Sequence, residues 1–229
     1  MAKPKQNLYG QEMGNKGSQT RAKILKATHA LIQKRALREL KVSEIGALAG
    51  VSSSTFYLYF QTVSEAALAI AEEANQSNEQ ILRILNREWT AANVFDNCRD
   101  FVKSYFSFWA DHVAILRLRN FAADEGDKRF IDARRRSIEP IHFALQNKLS
   151  DAQASSSKAP KLHPPSAASV LVATLERTAV VVLLPSAHKA TRSKQIEVVA
   201  YLIASAILGD FGAPQTNSYS ASDKPDTSR

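Results

Sequence analysis

The sequence predicts an all-α protein: an N-terminal three-helix helix-turn-helix head followed by a longer helical body, about nine helices in all. Three observations carry that prediction. Apolar residues recur at helical spacing in every patterned segment, and strand-like alternation is essentially absent. The composition, 45% hydrophobic and 23% charged with eight Gly and eight Pro in 229 residues, excludes collagen-like, coiled-coil and largely disordered chains and leaves enough apolar material for a core without disulfides or metal. The charge is segregated as well: of the formal +8, residues 1–63 carry +7, with ten Lys and Arg against three acids, and the rest of the chain carries +1. A basic terminal module on a nearly neutral body is the distribution expected when one end meets phosphates, although a solvated basic tail gives the same count.

The elements follow in order. Residues 1–17 are polar and without period and read as a flexible basic arm. The head, residues 18–63, opens with a helix that places Ile24, Ala27 and Leu31 on one face. A short second helix carries Ile45, Leu48 and Ala49, with Ser43 as its N-cap. Gly50 ends it with a tight turn, and Ser52 caps a third short helix. The body, residues 64–210, continues with helices over 64–86, 91–110, 113–123 and 128–152, the last with an expected kink at Pro140. Residues 154–169 have linker composition, helices over 167–184 and 191–208 close the body, and residues 211–229 read as a disordered tail.

Within the head, the run Ala49 to Phe60, AGVSSSTFYLYF, is the most informative. At i, i+4 spacing Phe56 and Phe60 turn inward toward Ile45 and Leu48, which leaves Ser53 with Tyr57, Ser54 with Leu58 and Thr55 with Tyr59 facing out. Hydroxyls and tyrosines on the outer face of a basic module suit phosphate hydrogen bonds, base edges and thymine methyls, as a recognition helix requires.

These residues resemble a known family. From Thr20 to about Ala74 the chain looks like the helix-turn-helix head of TetR-type (tetracycline-repressor-like) bacterial transcriptional regulators. The signature runs small residue, Gly, Val, Ser, two variable positions, Thr, apolar, Tyr, variable, His or Tyr, Phe, and Ala49 to Phe60 match it. The resemblance implies that Ser52 caps the recognition helix, that Ser53, Ser54 and Tyr57 face bases with Leu58 beside them, and that Thr55, Tyr59, Val42 and Ser43 face phosphates. Lys16 and Arg21, as basic residues before the first helix, would add backbone or minor-groove contacts. Three positions depart from the family: Ser54 stands where Gly is usual, Val63 and Ser64 replace a Lys and an acid at the start of the fourth helix, and Ala36 replaces the Gly after the first. The partners implied are a double-stranded, palindromic DNA operator, a small-molecule effector and a second copy of the chain.

Such modules act as dimers on half-sites about 34–36 Å apart. The last two helices are the candidate dimer surface, through Val172, Leu175, Glu176 and Val180 on one and Ile196, Val199, Ala200, Ile203 and Ile207 on the other; packing against the chain's own core explains the same stripe. Glu176 and Arg177 interrupt the most apolar helix and are expected to be paired, in an intersubunit salt bridge before a ligand contact. The aromatic run 101–109 supplies Phe101, Tyr105, Phe106 and Trp109 to a candidate ligand pocket, with Arg117, Asn120, Phe121, His142 and Leu145 nearby; ordinary core packing is the alternative for each.

Enzyme motifs are absent: no GxSxG, GxGxxG, Walker loop or HExxH occurs, and His29, His112, His142, His163 and His188 lack ligand spacing. No metal or cofactor is expected. Cys98 is the only cysteine, so no internal disulfide forms and a small buried hydrophobe is its simplest role. With no apolar leader and no long uncharged apolar stretch, the expected location is the bacterial cytoplasm, at the nucleoid and away from membranes. The expected function is a sequence-specific, dimeric DNA-binding repressor released by a small, largely apolar ligand. A helical carrier whose basic head touches membranes or acidic partners is the alternative, and it leaves AGVSSSTFYLYF unexplained.

Overall fold

The computed structural model describes residues 6–183 and 189–209. The expected tail, the first five residues of the arm, Leu184, His188 and the last body residue at 210 lie outside the described residues. Among these residues there are nine α-helices, two short 3₁₀ turns and, in place of strands, one isolated bridge between Gln6 and Glu12.

Helix α1 (Asn15–Ile32) buries Ile24, Leu25, Ala27, Thr28 and Ile32, a stripe at helical spacing; the Thr28 hydroxyl donates to the Ile24 carbonyl at 2.8 Å, so its burial leaves no polar group unmet. A 3₁₀ turn (Leu37–Glu39) leads into α2 (Val42–Ala49), and α3 (Ser53–Tyr57) follows. Helix α2 is capped differently from expectation: the N-cap is Lys41, and Glu44 at the third helical position reaches back to accept from the Lys41 amide at 3.2 Å. Arg35 holds the same carboxylate at 3.1 Å and keeps it below the usual range.

Helix α4 (Val63–Asn75) is capped by Thr62, whose hydroxyl accepts from the Glu65 amide at 3.1 Å. It buries a row of alanines, Ala66, Ala67, Ala71 and Ala74, whose small side chains let it pass close beneath the head. A second 3₁₀ turn separates it from α5 (Glu79–Leu85), which divides the helix expected over 64–86.

Helix α6 (Val94–Asp124) is two helical segments joined across a kink at His112, between the two helices expected over 91–110 and 113–123. The sequence between them, Ala110 to Val113, contains no Gly or Pro, so the helix bends rather than stops. The bend is at His112, where φ is −125° and ψ is 17°. Helix α7 (Lys128–Ser155) carries Pro140 in its interior without ending there. Helix α8 (Pro164–Val182) starts with two prolines in its first turn, where missing N–H groups cost nothing, and packs against α9 (Lys189–Leu208). By length and composition α8 could cross a membrane, with a mean hydropathy of 1.3, but one side of it packs on α7 and α9 and buries Glu176. The buried apolar residues of all nine helices join in one core.

The residues expected at a dimer surface belong to that core. Leu175 and Ala200 are fully buried, and Val172, Glu176, Ile196, Val199, Ile203 and Ile207 are buried against the chain's own helices, with Val180 partly so. The apolar residues that face outward on these two helices are Val170, Val181, Val198, Tyr201 and Leu202. Helices α8 and α9 are apolar on both sides, so helical period alone does not say which side packs on the chain's own core.

Candidate DNA-reading face and ligand clefts

The turn between α2 and α3 is built from two glycines with different tasks. Gly50 closes α2 in the left-handed region at φ +68°, which a side chain would strain. Gly46 lies inside α2, and a Cβ there would sit 2.7 Å from the Val51 carbonyl oxygen. The Val51 amide donates to the Gly46 carbonyl at 2.9 Å, so the chain leaving α2 folds back directly over residue 46. Gly46 escaped the sequence reading; its signal was a glycine in the middle of a short apolar helix, which is costly unless close packing requires it.

Ser52 then caps α3, accepting from the Thr55 amide at 3.1 Å, and its hydroxyl also meets those of Ser54 at 2.7 Å and Thr55 at 2.9 Å. Ser54, where the family has Gly, is therefore accommodated within this hydroxyl cluster. Phe56 is fully buried and Phe60 nearly so, their rings 5.8 Å apart. Ser53, Ser54, Tyr57 and Leu58 are exposed, and Tyr59 is half-buried. Leu48 departs from expectation: it is 56% exposed and joins this outer face, because α2 buries Ile45 and Gly46 and covers Val42 and Ala49 one turn to either side. At the α2 N-terminus Ser43 is exposed and Val42 half-buried.

Of the two basic residues expected at DNA, Lys16 faces solvent. Arg21 is committed elsewhere: it pairs with Glu73 of α4 at 3.1 Å and lies over the Phe60 ring at 5.3 Å, tying α1 to α4. The described part of the arm is ordered by hydrogen bonds. The Asn7 carboxamide oxygen accepts from the Tyr9 and Gln11 amides at 3.0 Å each, and the Leu8 amide donates to the Leu58 carbonyl at 3.0 Å, which pins this loop beside the end of α3.

The body holds its charge inside. Arg119 of α6 is 1% exposed and Glu176 of α8 is 4% exposed. Arg119 donates to Glu176 at 3.4 Å, to Asn120 at 3.0 Å and to Asn75 of α4 at 3.3 Å. Arg134 of α7 donates to the second Glu176 oxygen at 2.5 Å and to Asp124 at 3.2 Å, and Asn120 donates to Glu176 at 3.0 Å. Glu176 is thus paired within the chain, to two arginines, instead of across a subunit boundary. Four helices meet at this network, and burial with the Glu176 charge beside it pushes the Tyr105 phenol above its ordinary range. Burial likewise raises the Cys98 thiol far above its ordinary value, which fits a packed, unreactive side chain.

Two clefts border the network, and Arg134, Ala173 and Glu176 line both. The smaller, about 540 Å³, lies between α7 and α8 and includes His142, whose Nε2 is 3.0 Å from the Ser169 hydroxyl. The larger, about 1280 Å³, lies between the 3₁₀ turn of the head and α6 and α8, and it collects Arg117, Asn120 and Phe121. The remaining pocket candidates, Phe101, Tyr105, Phe106, Trp109 and Leu145, are buried in the core and line neither cleft. An aromatic run has the same spacing whether it walls a cavity or fills one. Among the described residues, no group of three His, Cys, Asp or Glu side chains is placed to hold a metal.

Comparison with known proteins agrees with this architecture. The family model for bacterial regulatory proteins of the tetR family matches residues 24–68, and that for the tetracyclin repressor-like C-terminal domain matches residues 81–213. No curated protein matches the sequence. Among solved structures, the fatty acid degradation regulator FadR from Bacillus halodurans superimposes with a TM-score of 0.65 at 16% identity, covering 85% of this chain and 97% of its own. FadR from Bacillus subtilis in complex with stearoyl-CoA gives 0.64 at 18% identity, covering 81% and 98%. A tetR-family transcriptional regulator from Streptomyces coelicolor gives 0.62 at 16% identity, covering 85% and 82%. With its head and most of its body matched by the family's own models, the chain belongs to the TetR family of bacterial transcriptional regulators.

Proposed function

We propose that this regulator is a dimeric repressor that binds a palindromic operator through α3 and is released by a small molecule held in the body. The observation that carries the reading is the outer face of Leu48, Ser53, Ser54, Tyr57 and Leu58, exposed on two short helices locked together by Gly46 and the Ser52 cap, in an arm and head that together carry +7. Short hydroxyl side chains accept and donate at base edges and phosphates, and Leu48 and Leu58 suit thymine methyls. Ser43, Thr55, Tyr59 and Lys16 are placed to meet phosphates, while Arg21 supports them through its hold on α4. A single such face is too small for useful specificity, so two copies pair through Val170 and Val181 of α8 and Val198, Tyr201 and Leu202 of α9. The reading is of a regulator at DNA in the cytoplasm, without catalysis. Two relatives described as FadR, one with stearoyl-CoA bound, support an effector with a long apolar chain.

The test is binding to the DNA upstream of the chain's own gene, at 50 and 200 mM salt. A specific complex that weakens steeply with salt is expected, by about 10³-fold or more for six or more phosphate contacts. Tyr57→Ala should lose specific binding with unchanged thermal stability, since this ring is 46% exposed. Absence of any specific complex, or a complex indifferent to salt, would sink the proposal.

A further inference from the structure

We infer that the larger cleft is a site for an amphipathic anion, an apolar chain ending in a carboxylate or phosphate, and that the anion ties the head to the body. The inference deepens the effector reading above and rests on it for its regulatory part. Its basis is a charge imbalance in a cleft whose walls are partly apolar. Five arginines line the cleft against three acids, Asp124, Glu125 and Glu176. Two of those acids are already satisfied: Asp124 by Arg134, and Glu176 by Arg134 and Arg119. Arg35 is held by Glu44. That leaves Arg38, Arg117 and Arg177, none of which makes an ion pair among the described residues.

These three come from three different elements. Arg38 lies on the 3₁₀ turn between α1 and α2, Arg117 on α6 and Arg177 on α8. Between them the walls are apolar, formed by Leu118, Phe121, Ala173 and Val180, and Phe121 is 59% exposed toward the opening. Guanidinium groups in a fork geometry bind carboxylate and phosphate oxygens in pairs, and all three arginines are exposed and reachable from solvent. Glu125 makes no ion pair among the described residues and offsets one of these charges, so a neutral apolar ligand would leave an excess of two positive charges uncompensated. An anion without a chain would leave the walls wet. The volume exceeds the roughly 300–1,000 Å³ of typical small-molecule sites, so a long chain fits.

The placement of Arg38 supplies the regulation. The 3₁₀ turn that carries it ends at Glu39, three residues before Val42 and the N-terminus of α2. An anion shared by Arg38 and the body arginines therefore favours one position of the head over others, and operator affinity changes by the ratio of its affinities for the two positions.

The experiment uses the full-length protein with laurate, dodecyl phosphate and dodecanol as probes, measured by calorimetry and by operator binding. Laurate and dodecyl phosphate should bind at least tenfold more tightly than dodecanol. Arg117→Gln with Arg177→Gln should weaken both anions tenfold or more and leave dodecanol unchanged. Lysines at both positions should restore part of the loss, and unchanged helicity and urea midpoint will exclude unfolding. Arg38→Gln should leave measurable anion binding while removing its effect on operator affinity, which in the parent protein should be on the order of five- to a hundredfold. Equal affinity for dodecanol and laurate, or anion binding indifferent to the Arg117 and Arg177 substitutions, overturns the site. Because the calorimetric arm needs no DNA, arginine-dependent anion binding by a protein that ignores its promoter would uphold the site and refute the repressor reading instead.

Discussion

The head and the body of this protein handle polarity in opposite ways. The head turns its polar side chains out: the hydroxyls of α3, Tyr57 and Lys16 face solvent, and its interior holds phenylalanines, leucines and isoleucines around one satisfied threonine. The body draws charge in, burying Arg119 and Glu176 and closing α4, α6, α7 and α8 around them. A surface that reads phosphate must keep its partners unsatisfied until the ligand arrives. An interior that holds four helices in one arrangement gains specificity of packing from charges that have a single way to pair, a role consistent with a body that must have defined states.

Removing Glu176 should break this contrast with the largest effect. Glu176→Ala leaves Arg119 buried with no charged partner and deprives Arg134 of its closer one, which costs about 3–5 kcal/mol for a buried pair broken on one side. Urea unfolding of the full chain should show a lower midpoint at an unchanged slope. A loss under about 1 kcal/mol would mean that water enters the site and that the network is no more than a surface pair.

The matching break in the head is Gly46→Ala. Helix propensity alone favours alanine by about 1 kcal/mol, so a neutral environment would make the variant more stable. The added Cβ instead meets a backbone carbonyl at 2.7 Å, which cannot swing aside as a side chain would. Overpacking of that kind costs about 1–3 kcal/mol, and the displaced α3 should lose operator binding as well. The sign of the stability change decides between the two effects.

Ser52→Ala should sharpen the comparison at smaller scale, by about 1 kcal/mol for a lost N-cap. The Thr55 amide and the hydroxyls of Ser54 and Thr55 all lose a partner. Operator binding should fall further than stability does, because the start of α3 loosens where the bases are read. Ser52→Asp retains an acceptor and should recover the stability without the binding, since a carboxylate there repels phosphate.

The same contrast explains what the sequence disclosed. The recognition helix was legible because its function is encoded in consecutive residues: Gly50, Ser52, Phe56 and Phe60 fix the turn, the cap and the inner face within a dozen positions. Leu48 was misread because a one-residue error in phase on a two-turn helix moves a side chain from core to surface. The body resisted for a different reason. Arg119 and Glu176 are 57 residues apart, and Asn75 stands 44 from Arg119, so no periodicity joins them. On α9 both the core residues Ile196, Val199, Ile203 and the exposed Val198, Tyr201, Leu202 are apolar, so amphipathicity could not say which side meets the chain itself. The clefts were missed in outline because only contact between helices, not composition, distinguishes a wall from a filling.

The smallest expected effect lies where the two regions touch. His112 sits at the bend of α6 with its ring 5.3 Å from that of Phe108; burial is the main cause that lowers its pKa below the ordinary 6.5. Asp111 opposes that shift and His29, in the last turn of α1, adds to it. A histidine whose pKa is lower folded than unfolded binds fewer protons in the native state, so stability rises with pH across the window between the two values. Above 6.5 both states are neutral and nothing is lost; as pH falls below 6.5 toward the depressed value, the native state gives up stability. Because the charge of His29 on the head contributes, acid should loosen the seam between α1 and α6 before it unfolds the body. His112→Gln should flatten the fall in urea midpoint between about pH 7 and 5, and His29→Gln should flatten it less. An acid response unchanged by His112→Gln would assign it to carboxylates held below the usual range by arginine instead, Glu44 by Arg35 within the head and Asp127 by Arg129 within the body.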